Sequence, residues 1–226
     1  MTVAQQLSEV RKKISEYAAR YQRDPAGITL LAVSKQQSLP AIQAAVAEGQ
    51  CDFGENYLQE ALNKITVLSE AKLCWHFIGP IQSNKTRDIA AHFSWVHSID
   101  RLKIAERLNA QRPENLTPLN VCIEVNLDNE RTKAGIAPAA LTDFAKIIRR
   151  LPRLKLRGLM AIPQVQNDFS RQRQAFANLR MQLQSLNQLG MDLDTLSMGM
   201  SDDLEAAIAE GATCVRIGKA IFGARQ

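Results

Sequence analysis

The chain lacks several features that would have assigned it a function directly. It has no apolar run of transmembrane length, and its N-terminus, MTVAQQLSEVRKK, lacks the apolar core of a signal peptide. A protein of the cytoplasm, without membrane attachment, is therefore expected. No C-x-x-C pair occurs: Cys51, Cys74, Cys122 and Cys214 lie far apart and mostly inside apolar runs, so free buried thiols are expected rather than disulfides. The three histidines, His76, His92 and His97, lack the i, i+4 spacing of a helical zinc pair, and no metal is expected. There is no block of like charge, and the net charge of +5 over 226 residues is modest. It suits an anionic small ligand as well as weak nucleic-acid contact and decides neither; no nucleic-acid partner is expected, since only the basic balance of the chain speaks for one. Repeats, low-complexity tracts and linkers are missing too, so residues 1–226 read as one domain.

What is present is alternation. Residues 28–35, ITLLAVSK, are apolar at five of their first six positions, after punctuation by Pro25 and Gly27. A buried strand of a parallel sheet reads this way, apolar on both faces. Upstream, Leu7, Val10, Ile14, Tyr17 and Tyr21 recur at spacings of three and four, predicting an amphipathic helix over 3–21. Downstream, strands are predicted at 51–56, 75–79, 95–99, 120–126, 154–162, 195–198 and 213–217. Helices fall between them, at 40–48, 57–70, after 82–85, from Asp100 as N-cap, at 138–150, 169–189 and 202–210. Strand and helix thus alternate eight times, the number that closes a barrel. The fold expected is a single (β/α)8 TIM barrel with an extra N-terminal helix; an open doubly wound sheet is the competing form.

In such a barrel the functional face lies at the strand C-termini, with phosphate often held after strands 7 and 8. Lys35 ends strand 1 at the mouth of a dry core, where desolvation would free its amine for Schiff-base chemistry. It could equally be the first solvated residue after a strand. After strand 7, MGMSD places Ser201 at a helix start, as an N-cap or as part of an anion site. After strand 8, RIGKA offers Arg216, then Gly218 permitting close backbone approach. Arg216 could instead pair with Glu205, and Asp202 and Asp203 should face away from any phosphate. Closure makes strands 8 and 1 neighbours, so an amine and an anion cradle would lie side by side. A molecule with both an aldehyde and a phosphate, pyridoxal 5′-phosphate, fits that pairing. Asn56, Asn84, Lys85, Asn126 and Lys133 could line the same mouth or merely cap helices and solvate loops. His76 opens its strand and should face the opposite, stable end or the outer layer; residues 160–163 should pack the rim.

The runs LLAVSK, GENYLQE, WHFIGPIQSNK, RGLMAIP, SMGMSDDLEAAI and VRIGKAIFG, in that order from residue 30 to residue 223, resemble the pyridoxal phosphate homeostasis protein family (the YggS/PROSC family). The resemblance covers nearly the whole chain and implies a barrel like the N-terminal domain of alanine racemase. It implies that Lys35 forms the Schiff base and that Ser201 and Gly218 belong to phosphate-binding loops. It also implies that Arg216 faces the pyridine nitrogen. An arginine cannot accept that nitrogen's proton in exchange, so the ring would be a weak electron sink, suited to holding the cofactor rather than driving turnover. Lys219 departs from the small residue usual there; it could strengthen phosphate binding by charge or point to solvent. The implied function is cofactor binding in vitamin B6 homeostasis without established catalysis; pyridoxal phosphate-dependent apo-enzymes are the expected recipients, and a lone barrel with one racemase-type mouth uncovered is expected to be a monomer. A racemase- or decarboxylase-type enzyme is the main alternative. Against it, racemase-like enzymes add a β-domain and a partner's acid/base group, and this chain ends soon after strand 8.

Overall fold

The computed structural model describes residues 1–128 and 134–223. Eight parallel strands close into one barrel in chain order, β1 to β8. The ring is sealed by β1 (Thr29–Val33) against β8 (Cys214–Ile217), with Thr29 opposite Cys214 and Ala32 opposite Ile217. Between them run β2 (Asp52–Glu55), β3 (Cys74–Phe77), β4 (Trp95–Ile99), β5 (Leu119–Glu124), β6 (Leu154–Met160) and β7 (Thr195–Ser197). The open-sheet alternative is thereby excluded.

The helices that follow the strands are α2 (Leu39–Ala47), α3 (Leu58–Val67), α4 (Thr86–His92), α5 (Leu102–Gln111), α6 (Leu141–Arg149), α7 (Phe169–Gln188), α8 (Leu204–Ala209) and the single turn α9 (Lys219–Phe222). Most boundaries fall within a few residues of expectation. The strands are shorter than the apolar runs, because ladder pairing stops before the run does; β6 ends at Met160 rather than 162. Helix starts shift by a residue or more at several places, α8 beginning at Leu204 rather than 202. The cap of α5 is Arg101 rather than Asp100, whose carboxylate is instead held by Arg101 Nε at 3.0 Å. The region 138–150 begins with a 3-10 turn, Pro138–Ala140, before α6.

The extra N-terminal helix, α1 (Val3–Arg20), opens with a capping box in which Gln5 N donates to Thr2 Oγ1 and Thr2 N to Gln5 Oε1. It packs along the side of the barrel, against α2, α8 and α9, burying Leu7, Val10, Ile14 and Ala18. Burial of each large apolar side chain contributes about 1.5–3 kcal/mol. Polar contacts tie it down at its middle and just past its end: Arg11 Nη1 donates to Glu48 O at 2.7 Å, and Arg23 Nη1 to Ile208 O at 3.0 Å.

Glycines admit the closest strand approaches. A Cβ at Gly158 of β6 would lie 1.8 Å from Thr195 O of β7, and one at Gly54 would lie 3.2 Å from Leu31 Cγ. The second contact shows Leu31 and position 54 on the same, interior side. Alternation along β1 then carries Val33 to that side, and Ser34, just past the strand, meets Glu55 through its Oγ on the helix side.

Candidate functional site

The C-terminal mouth is ringed by the loops that follow the eight strands, and the candidate residues lie in those after β1, β2, β3, β5, β7 and β8. Lys35 lies half-buried in the turn directly after β1. That turn is held from behind. Gln36 takes a left-handed conformation (φ 56°) and its N–H donates to Glu60 Oε1 of α3 at 2.6 Å. Ser34 Oγ donates to Glu55 Oε1 at 2.6 Å, and Lys64 Nζ reaches both Glu55 Oε1 and Ser34 O at 2.7 Å. Glu55 and Lys64 are buried, and burial raises the Glu55 carboxyl above its ordinary range while Lys64 and Ser34 oppose the shift. Sequence reasoning missed this network. Glu60 and Lys64 sit at i, i+4 on α3, a signal available in the sequence, but Glu55 joins them only through the fold.

Gly218 passes close to the same strand end: a Cβ there would lie 3.1 Å from Val33 O. The loop after β8 is thus pressed against the approach to Lys35, as adjacency of the first and last strands requires. Gly218 also caps α9, accepting from Ile221 N and Phe222 N at 2.9 Å. By helix geometry the amides of residues 219 and 220 precede the first intrahelical bond. Lys219 is exposed.

Arg216 is buried in the barrel at 5% exposure. Its Nη1 donates to Ser197 Oγ at 2.8 Å and its Nη2 to Ala161 O at 2.9 Å, so it does not pair with Glu205. Glu205 is taken by Arg20 and Tyr21 of the N-terminal helix region. Burial lowers the Arg216 pKa, opposed by Cys214, Asp203 and Glu124. Glu124, at the end of β5, is pushed up to about 7 by burial and by Asp100, with Arg216 opposing.

The loop after β7 is tied to β8 through Arg216 N, which donates to Gly199 O at 2.9 Å. Gly199 has φ 95°, and a Cβ there would meet the Ala207 Cβ at 2.5 Å, so α8 folds over this loop only with glycine. Ser201 is exposed and does not cap α8, which starts at Leu204 behind Asp203. It shares the wall of a cavity of about 270 Å³ with Ile217, Ala220 and Lys13. Asp202 is exposed, but Asp203 departs from the expectation that both acids face away. It turns inward, and its Oδ1 accepts from Met200 N at 2.5 Å, satisfying an amide of the loop.

Asn56, after β2, is half-buried, and its Oδ1 is buried without a hydrogen-bond partner. Its carbonyl would lie 2.4 Å from a Cβ at Gly79, which packs the β2 and β3 loops together. Asn84 is exposed, Lys85 lies in a 3-10 turn, and Asn126 begins the loop bordering a cavity of about 450 Å³ beside Glu124 and Ile162. Lys133 falls outside the described residues. The cysteine expectation needs correction: Cys122 and Cys214 are buried, Cys74 is half-buried and Cys51 is exposed. Cys51 directly precedes β2, and its carbonyl accepts from Cys74 N at 2.9 Å while the residue stays exposed. His76 lies buried toward the N-terminal mouth, as its place in β3 implied.

No helix among the described residues is long and apolar enough to cross a membrane. A family model described as alanine racemase, N-terminal domain, matches residues 6–226. A pyridoxal phosphate homeostasis protein of Pseudomonas aeruginosa is 58% identical over 225 residues, covering 100% of this chain and 96% of the relative. One from Escherichia coli (strain K12) is 52% identical over 227 residues, covering 99% and 97%. The solved structure of PipY of Synechococcus elongatus with PLP bound matches at a TM-score of 0.86 and 36% identity, over 98% of this chain and 100% of that one. An alanine racemase from Corynebacterium glutamicum, 16% identical with a TM-score of 0.71, shares the fold; the match covers 99% of this chain and 61% of that one.

Proposed function

Because the chain belongs to the pyridoxal phosphate homeostasis proteins, built on the alanine racemase N-terminal domain, we propose that it binds pyridoxal 5′-phosphate at the C-terminal mouth and serves vitamin B6 homeostasis. The likeness to PipY with PLP bound, over nearly the whole chain, carries this reading. The residues fit the group. A buried cation, a glycine pressed against the strand that leads into the lysine's turn, and an orphaned buried amide oxygen support this reading. Bound there, the cofactor supplies an aldehyde that an amine can capture reversibly.

Lys35 supplies the amine, and the Glu55–Lys64–Glu60 network fixes its turn. Asn56 offers its unpaired Oδ1 to the ring region. Gly218 brings backbone amides near the phosphate, Ser201 lies on the adjoining loop, and Lys219 adds a nearby positive charge. Arg216, held by Ser197 and Ala161, keeps a donor toward the ring nitrogen. Since it has no lone pair to take that nitrogen's proton and no proton it readily gives, it leaves the ring a weak electron sink. The protein therefore acts in the cytoplasm as a binder without turnover, monomeric, handing the cofactor to apo-enzymes. The relatives carry names of homeostasis proteins rather than of enzymes, in keeping with that role.

The test is borohydride reduction of the purified yellow protein followed by peptide mapping. The cofactor should be fixed on Lys35 and absent from Lys35→Ala; a reducible adduct of unchanged intensity in that variant removes the lysine assignment. Incubation with L- and D-alanine should give no α-proton exchange above background. Rapid inversion would make the protein an enzyme.

A further inference from the structure

The opposite mouth of the barrel holds a cluster that cofactor binding leaves unused. In the β2–β3 ladder Asp52 stands opposite Cys74 and Gly54 opposite His76. Cys74 and His76 are two apart on one strand, so their side chains leave the same face. Three different donors converge there. His76 Nε2 lies 3.0 Å from Asp52 Oδ1 and 3.3 Å from Cys74 Sγ, and all three donor atoms lie within 4.8 Å of one another.

We propose that Asp52, Cys74 and His76 form a binding site for a zinc-class divalent cation at the N-terminal mouth of the barrel. Tetrahedral zinc, with ligands at about 2.0–2.3 Å, spaces its donors roughly 3.3–3.8 Å apart. The two contacts at His76 Nε2 therefore need to open by only a few tenths of an ångström. Imidazole, thiolate and carboxylate are the ligand set of zinc and its neighbours, not of magnesium or calcium, which take oxygen. Two anionic ligands neutralise a divalent charge, whereas the empty cluster holds one carboxylate and a thiol. On loading, the thiol proton leaves to solvent, and the imidazole carries its proton on Nδ1 so that Nε2 can bind.

The imidazole is also braced as a ligand needs to be. His76 is 3% exposed, and its Nδ1 meets His97 Nε2 at 3.0 Å; His97 Nδ1 meets Ser197 Oγ at 2.7 Å. Such a partner on the far nitrogen fixes ring orientation and ligand basicity in metal sites. Asp52 and His76 border an open-sided cavity of about 270 Å³, which leaves an approach for the ion and space for a fourth ligand. Arg157, on the same wall, is engaged by Asp194 rather than facing the cluster unpaired. The histidine spacing expected of a helical zinc pair is absent because these ligands come from strands, where i, i+2 and a cross-strand partner do the same work.

The experiment uses the whole chain carrying Cys51→Ser, which removes the exposed thiol. Co2+ added to this protein should produce thiolate-to-cobalt charge-transfer absorption saturating at one equivalent, and Zn2+ should abolish it. Cys74→Ser should lose the band, and both it and Asp52→Asn should weaken Zn2+ binding at least about tenfold. Asp52→Asn keeps an acceptor for His76 and decides the matter should Cys74→Ser misfold. Absence of the band, its persistence in Cys74→Ser, or unchanged Zn2+ affinity in folded Asp52→Asn overturns the site. No arm of the test involves pyridoxal phosphate, so its outcome is independent of the cofactor reading.

Discussion

At the scale of single residues, two acids carry the clearest consequences. Glu124 has its pKa raised by burial from 4.5 to about 7. Below about pH 4.5 the carboxyl is protonated in both folded and unfolded chains, and there is no penalty. Between that value and about 7 the unfolded chain ionises while the native carboxyl keeps its proton, so stability falls as pH rises. Glu124→Gln should therefore match the parent at pH 4 and exceed it at pH 8 in urea denaturation. Equal differences at both pH values would show that Glu124 does not titrate this way. Glu55 and Lys64 make the second case. Lys64→Met leaves a buried carboxylate without its cation and should cost about 3–5 kcal/mol, while Glu55→Leu/Lys64→Met should recover much of that loss. A Lys64→Met protein as stable as the parent would mean the pair contributes nothing. Lys35, Arg216 and Gly218 were legible from their places at strand ends. Glu55 and Lys64 were not, because Glu55 reads as an ordinary polar residue at the end of a short strand, and its partner is brought to it by α3.

At the scale of elements, strand and helix succession was read from apolar runs and their Gly and Pro punctuation. The ends were less legible, since ladder bonds and caps depend on neighbours that a local pattern does not contain. Asp100 shows this: its residue type suits an N-cap, but Arg101 engages its carboxylate and α5 begins at Leu102. Two glycines separate packing from function. Gly158→Ala places a methyl against the β7 backbone and should destabilise by about 1–3 kcal/mol or more. At Gly218 a methyl meets Val33 O at 3.1 Å, a contact relieved by a small shift. Gly218→Ala should thus cost less stability than Gly158→Ala while weakening cofactor retention, as read by the yellow absorption after gel filtration. Should the order of the two stability losses be reversed, the closeness of β6 to β7 is not what constrains position 158.

For the molecule as a whole, closure is the decisive event. One apolar cluster extends from α1 through the barrel wall to α9, so we propose that the chain unfolds as a single cooperative unit. Leu7, fully buried on α1, tests this: Leu7→Ala should cost about 2–5 kcal/mol and lower the midpoint of the entire transition. A separate early transition confined to α1 would show that the N-terminal helix is an independent appendage.

The amino-acid order alone determined that eight βα units follow one another and that the lysine, arginine and glycine fall at strand ends. These are local patterns, repeated at a period that propensity and punctuation fix. Only the tertiary structure decided which polar groups meet inside the ring. Asp52, Cys74 and His76 gather across a ladder, and His97 reaches Ser197 and through it Arg216 across 119 positions of chain between residues 97 and 216. Closure sets those distances, and no window of sequence spans them.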